Sequence, residues 1–185
     1  MKKKTNEELH RPGAEAYARM EKMPVTVILD NVRSMNNTGS FFRTCDAFAV
    51  ERLLLCGITG TPPSREIHKT ALGAEHTVAW RYFADTAEAV AWLRAEGYTV
   101  LAVEQAEGAV MLQDFRPTAG RRYALVFGNE VDGVAQEIAD MCDGAIEIPQ
   151  VGTKHSLNVA VAGGAVLWHL FAGYLSEKDP AGATL

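Results

Sequence analysis

Three polar segments carry the residue types from which a reaction site could be built. The first is Asp30-Asn-Val-Arg-Ser-Met-Asn-Asn-Thr-Gly-Ser-Phe-Phe-Arg-Thr-Cys-Asp46, in which Asn37, Gly39 and Arg43 are spaced two and four residues apart. Asn37 is placed to cap a helix, Gly39 to let a ligand approach the backbone, and Arg43 to fall on the first or second turn. Phe41 and Phe42 immediately before Arg43 predict a partly buried guanidinium, which then needs a partner. Asp46 or a neighbouring helix would serve structurally, and a bound anion would serve functionally.

The second segment is Ala124-Leu-Val-Phe-Gly-Asn-Glu-Val-Asp-Gly133. An apolar run passes directly into a loop bracketed by Gly128 and Gly133, and Glu130 follows the run at once. A carboxylate at the carboxyl end of a buried strand is costly unless hydrogen-bonded, which makes Glu130 a site candidate; the plainer alternative is a solvated loop acid. Val134-Ala135 stands where a phosphate loop requires Lys-Ser/Thr, and no Gly-x-Gly-x-x-Gly turn is present, so neither nucleotide fingerprint is met.

The third segment is Ile146-Glu-Ile-Pro-Gln-Val-Gly-Thr-Lys-His-Ser-Leu-Asn-Val-Ala-Val-Ala-Gly-Gly164. A short alternating strand ends at Pro149, which cannot donate to a ladder, and Gly152 would permit angles that other residues avoid. Ser156 and Asn158 suit the cap of a helix beginning near Leu157. Hydrolysis is disfavoured because Gly-Thr-Lys-His-Ser lacks the Gly-x-Ser-x-Gly elbow.

The elements that must position these loops follow from periodicity. Residues 25–29, 52–56, 77–80, 98–103, 123–127 and 145–148 read as strands, most of them continuously apolar. Between them, helices are expected after Asp30, near residues 65–72, from Asp85 to Gly97, near 135–141 and over 159–175. Continuously apolar strands alternating with helices predict an α/β protein with a mostly parallel sheet flanked by helices. Ligand sites in such sheets lie at the carboxyl ends of the strands, where all three loops fall.

Composition sets the outer bounds. The chain has 185 residues, 48% of them hydrophobic and 22% charged, which fits one packed domain. Cys45, Cys56 and Cys142 form no paired framework or cysteine zinc site, and the basic start lacks an apolar run, so a reducing, cytoplasmic setting is expected. The apolar stretch over 159–175 contains His169 and several glycines and reads as a buried helix, with no membrane partner. Net charge is −5, yet residues 1–52 hold nine Lys/Arg against seven Asp/Glu; polyanion binding then depends on local convergence of the basic residues.

Asn37-x-Gly39-x-x-x-Arg43, Gly128-Asn129-Glu130-x-x-Gly133 and Ile148-Pro149-x-x-Gly152-x-x-x-Ser156-Leu157-Asn158-Val159 resemble the three ordered motifs of the SpoU/TrmH family of S-adenosylmethionine-dependent RNA ribose 2′-O-methyltransferases. The likeness extends over residues 24–174, including Glu104-Gln105 and Lys69-Thr-Ala-Leu-Gly-Ala-Glu75. It implies a methyltransferase domain over residues 24–175; outside the likeness, a helical pattern split by Pro12-Gly13 predicts an N-terminal helical extension over 1–23, and Pro180-Ala-Gly-Ala a flexible tail over 176–185.

The resemblance further implies a deep C-terminal trefoil knot of the SPOUT type and a homodimer. The methyl donor S-adenosylmethionine would be held around Ala102, Val103, Glu104, Gly128, Ile148 and Leu157, without a metal. Arg43 would be catalytic, with Asn37, Glu130, Ser156 and Asn158 arranging substrate, loop or arginine. The implied substrate is structured RNA, with tRNA ahead of ribosomal RNA; a non-catalytic RNA-binding module is the other reading. The sequence departs from the family pattern at Ala160, where Ser is common, and at Cys45, where Ala is frequent. Residues 1–23 are too few for the separate amino-terminal RNA-binding domain common in the family, so RNA recruitment is expected to fall to these residues and the dimer surface.

Overall fold

The computed structural model describes residues 1–5 and 7–178. The apolar runs form β1 (Met23–Asp30), β2 (Val50–Cys56), β3 (Trp80–Phe83), β4 (Thr99–Val103), β5 (Val110–Met111), β6 (Tyr123–Phe127) and β7 (Gly144–Glu147). They join in one seven-stranded sheet of order β3-β2-β1-β6-β4-β7-β5, with every pairing parallel. Parallel pairing places the carboxyl ends of β1, β6, β4 and β7 along one edge, as the sequence predicts.

Side chains alternate across a strand, so β1 supplies both cores. Val25, Val27 and Leu29 enter one apolar cluster, and Ile28 enters the other. The helices are α1 (Ala14–Arg19), α2 (Met35–Ala47), α3 (Arg65–Ala71), α4 (Thr86–Ala95), α5 (Gln136–Ala139) and α6 (Val159–Lys178). Phe41, Phe42, Ile67, Val166, Leu167 and Leu170 cover the first face from α2, α3 and α6. Ala89, Val90, Leu93 and Ile138 cover the second from α4 and α5. Each fully buried Leu or Phe contributes roughly 1.5–3 kcal/mol relative to exposure.

Local chemistry explains the helix starts. Ser34, Ser64 and Asp85 cap α2, α3 and α4 by accepting from the backbone N–H of Asn37, Ile67 and Ala87. Asn37 is therefore not the cap that the sequence predicts, because the helix begins two residues before it. Arg43 consequently lies in the third turn rather than the first or second. The strand expected at 77–80 begins at Trp80, since a 3-10 turn over Ala74–His76 occupies the preceding residues. β5 is two residues long and has no periodicity to read; pairing with β7 creates it.

α6 differs from the buried helix expected over 159–175. Gly163, Val166, Leu167 and Leu170 are buried, but Val161 and Trp168 are 59% and 56% exposed, because within one chain only one side has a partner. Although α6 is long and apolar enough to cross a membrane, that buried side packs on the sheet and α2. Residues 176–178 continue α6, and 179–185, the rest of the expected tail, lie outside the described residues. Met23, expected to end the N-terminal extension, instead begins β1, and the segment before it is docked through Tyr17, whose hydroxyl donates to the Asp46 carbonyl at 3.2 Å; within the segment Lys22 Nζ donates to the Tyr17 carbonyl at 2.6 Å. All three cysteines are free thiols.

Two glycines set the approach of α2 to its neighbours. A Cβ at Gly39 would collide with the Ile67 carbonyl and Thr70 hydroxyl of α3, and one at Gly163 would enter the Phe41 ring. Gly39 thus serves helix packing rather than the ligand approach predicted for it. Gly39→Ala should lower stability by a net of about 1–3 kcal/mol, because overpacking against the Ile67 backbone outweighs the helix-propensity gain of up to about 1 kcal/mol. Urea denaturation checks this, and an unchanged midpoint would refute packing through Gly39.

Candidate active site

Glu130 leaves the end of β6 and points to the loop after β1. Its carboxylate accepts from Arg33 N–H at 2.9 Å, Ser34 N–H at 3.0 Å and Asn37 Nδ2 at 2.9 Å. Asn37 Oδ1 in turn accepts from Asn158 Nδ2 at 3.1 Å. Asn158 Oδ1 caps α6, accepting from Ala160 and Val161 N–H at 2.9 and 3.2 Å. One residue from each polar segment is thereby joined in a continuous chain of hydrogen bonds. Partial burial pushes the Glu130 carboxyl up, but its Arg33, Asn37 and Ser34 donors outweigh this and hold it below the usual carboxylate value.

The glycine-bracketed loop is closed on itself. Asn129 and Gly133 exchange backbone hydrogen bonds, both 2.9 Å long, and Gly133 adopts φ 71°. A Cβ at Gly128 would overlap the Gly133 backbone, so this turn needs glycine at both ends. Glu104 at the end of β4 anchors it, accepting from Val134 N–H at 3.0 Å. Gln105 Nε2 donates to the His155 carbonyl at 2.6 Å, tying the same strand end to the loop before α6.

These loops enclose a cavity of about 490 Å³. Of the expected cofactor residues, Val103, Glu104, Gly128, Ile148 and Leu157 line it, and Glu130, Ser156 and Asn158 stand on its wall. Ala102 does not: its side chain is buried in the second core, one alternation away from the opening. Asn37 reaches the site through Glu130 and Asn158 rather than by lining it. Phe127, Val159 and Ala162 add apolar wall, and among the described residues no lysine or arginine lines the cavity.

Arg43 departs from its predicted environment. It is exposed, and among the described residues it has no hydrogen-bond or ion-pair partner; Asp46 instead accepts from the Thr77 hydroxyl at 2.6 Å. Phe41 and Phe42 are buried on the core side while Arg43 faces out, so their adjacency in sequence says nothing about the guanidinium. Glu130 holds the 33–37 loop and does not touch Arg43. Among the described residues Ser156 makes no cap bond, and Gly152 is absent from the left-handed region, with open space around its Cα. Its predicted conformational requirement is not observed.

Sequence reasoning missed the layer beneath the site. Asp30 is 2% exposed and accepts from the Thr86 hydroxyl at 2.6 Å, Asn31 Nδ2 at 2.8 Å and Ala135 N–H at 3.3 Å. Asn129 Nδ2 donates to the Asn31 carbonyl at 3.1 Å. The available signal was an acid ending an apolar strand. Ser34 was legible only as one of several polar residues before a helix.

The fold and site define a class: a parallel α/β protein with a ligand cavity formed by three interlocked loops at the carboxyl edge of its sheet. The chain belongs to the SpoU rRNA Methylase family, whose sequence profile matches residues 24–168. It is 35% identical over 162 residues to a tRNA (guanosine(18)-2′-O)-methyltransferase of Thermus thermophilus, covering 87% of this chain and 81% of the relative. The structure of an AdoMet-bound rRNA methyltransferase from Sinorhizobium meliloti superposes with TM-score 0.75 and 30% identity, over 83% of this chain and 59% of that one. The fold is shared with the A. aeolicus TrmH/SpoU tRNA modifying enzyme at TM-score 0.77 and 24% identity, over 88% and 81%.

Glu130→Gln offers one amide oxygen to three donors and adds an N–H facing one of them. It should destabilise the protein by about 1 kcal/mol at neutral pH, the low end because the acid is partly exposed. A carboxyl with a depressed folded pKa contributes stability above its unfolded value and loses it as pH falls. The gap between variant and wild type should therefore narrow below about pH 4.3. Denaturation at several pH values checks this; a gap independent of pH would refute the charge-assisted contact.

Proposed function

We propose that the chain methylates a ribose 2′-hydroxyl in structured RNA, with tRNA the favoured substrate and S-adenosylmethionine the methyl donor. The observation that carries this reading is the cavity lined by the second and third family motifs, which the first motif joins through the Asn37 bonds to Glu130 and Asn158, and which among the described residues has no lysine or arginine in its wall. Its volume lies in the usual small-ligand range of roughly 300–1,000 Å³. Apolar Phe127, Ile148 and Leu157 suit the faces of an adenine, and exposed backbone near Gly128 and Leu157 suits its edges. The absence of cationic side chains suits a sulfonium, and Glu104, Glu130 and Asp132 give the wall negative charge. Glu104 is already engaged by Val134 N–H, so its part is to hold the wall. When bound, the cofactor supplies an electrophilic methyl group.

Arg43 carries five N–H donors and no acceptor, which suits holding an RNA phosphate and stabilising the ribose oxygen as its proton leaves. That assignment is favoured over action as the base. The Glu130–Asn37–Asn158 chain sets α2, which bears Arg43, against the cavity, and Ser156 offers an uncommitted hydroxyl at its mouth. The same reading includes a trefoil knot through the segment from β6 to α6 and a homodimer. Two observations support dimerisation: Arg43 does not line its own chain's cavity, and Leu157, Val161 and Trp168 are 41%, 59% and 56% exposed. Pairing would cover the apolar face of α6 and bring one protomer's Arg43 beside the partner's cofactor. Residues 1–23 would join the RNA-facing surface, residues 24–175 would form the catalytic domain, and the enzyme would work in the cytoplasm, where its free thiols persist.

Labelled S-adenosylmethionine incubated with unmethylated total tRNA and ribosomal RNA should yield alkali-resistant ribose methylation, chiefly in tRNA. Arg43→Ala should reduce the rate by about 100-fold or more with the fold intact, as removal of one preorganised transition-state donor does. No label in either RNA would refute the activity, and undiminished label in Arg43→Ala would refute the role of the arginine.

A further inference from the structure

A second cluster of reactive side chains lies away from the cavity, where α3 ends and the chain turns toward β3. His68 Nδ1 is 2.5 Å from Glu75 Oε1, and His76 Nε2 is 3.6 Å from the same oxygen. The three ligand-type atoms all lie within 4.8 Å of one another. Leu72 and Gly73 both adopt left-handed angles, φ 54° and 98°, which reverse the chain and return Glu75 to His68.

Glu75 is the buried member. Its side chain is 5% exposed, whereas those of His68 and His76 are 63% and 76% exposed. Buried carboxylates are paired or bind metals, and two imidazoles face this one from the solvent side. The other carboxylate oxygen accepts from Gly73 N–H at 3.0 Å, an outer-shell contact of the sort that orients a ligating acid. Pro62, Pro63, Ser64, Arg65 and Trp80 complete a surface hollow of about 540 Å³, which leaves space for water.

We infer that His68, Glu75 and His76 form a binding site for one zinc-type divalent cation. Two imidazoles and one carboxylate are a borderline-soft donor set, suited to zinc or cobalt rather than to magnesium or calcium, which prefer all-oxygen ligands. Ligand atoms about 2.0–2.1 Å from a tetrahedral ion stand roughly 3.3 Å apart. The His76–Glu75 separation is near that value, and His68 must withdraw slightly as the cation replaces the shared proton. Both imidazoles are at the surface and can turn without disturbing the core. Water fills the fourth position. The cation joins the end of α3 to the 72–76 turn, whose Ala74 packs in the same core as Phe42 of α2. The site therefore braces the helix that carries Arg43 and takes no part in methyl transfer, so it stands apart from the proposed activity.

Chelator-treated full-length protein is titrated with zinc against a chromophoric competitor, and with cobalt(II) followed by absorption. One equivalent should bind, with cobalt d–d bands but no sulfur-to-cobalt charge transfer. His68→Ala, Glu75→Gln and His76→Ala should each lower affinity at least about tenfold. His76 is mostly exposed and makes no core contact, so His76→Ala should unfold like wild type without metal; zinc should raise only the wild-type midpoint. Equal binding by wild type and His76→Ala, a thiolate band, or equal stabilisation by magnesium would overturn the site.

Discussion

The site depends on the Glu130 carboxylate accepting three hydrogen bonds from the loop after β1. Arg33 and Ser34 donate backbone N–H groups and Asn37 donates its amide, so one acid at the end of β6 fixes the approach to α2. Asn37 then passes the constraint to Asn158, the cap of α6. Two helix starts, 121 residues apart in the Asn37–Asn158 pair, are registered by two amides and one carboxylate. Such a chain is strong because every member is satisfied: the charged acceptor has more than one donor, and each amide is used at both ends.

The sheet makes that contact possible. β6 pairs directly with β1 and β4, so its carboxyl end opens between the 31–37 loop and Glu104. The tight turn from Gly128 to Gly133 puts Glu130 on the α2 side while Val134 returns to Glu104. Beneath it, Asp30 links β1 to Thr86 of α4 and to Ala135. This buried acid ties β1 to the starts of α4 and α5 on one face of the sheet, under the cavity. Gln105, bonded to the His155 carbonyl, closes the far side.

Charge is divided between the cavity and its surroundings. The cavity wall carries Glu104, Glu130 and Asp132 and no lysine or arginine, while Arg43 stands exposed on α2. The acidic wall and the exposed guanidinium are thus kept on separate elements of the fold. The overall charge of −5 conceals this division, because phosphate contacts depend on where the cations sit rather than on their sum.

The sequence by itself determined the α/β class, the parallel sheet, the three loops at its carboxyl edge, and Glu130 and Asn158 as polar residues that the structure places on the cavity wall. These features were legible because strand periodicity, glycine brackets and capping chemistry act over a few residues. Arg43 was misjudged from adjacent aromatics, since on a helix neighbouring positions face different ways; Gly39 was misread because its crowding comes from Ile67 and Thr70 on α3. β5 and the exposed side of α6 left no local trace. Only the tertiary structure decided that Glu130 binds the 33–37 loop rather than Arg43, and that Asn37 connects rather than caps. Those outcomes turn on which donors from distant segments reach one acceptor first, a competition that spacing along the chain does not encode.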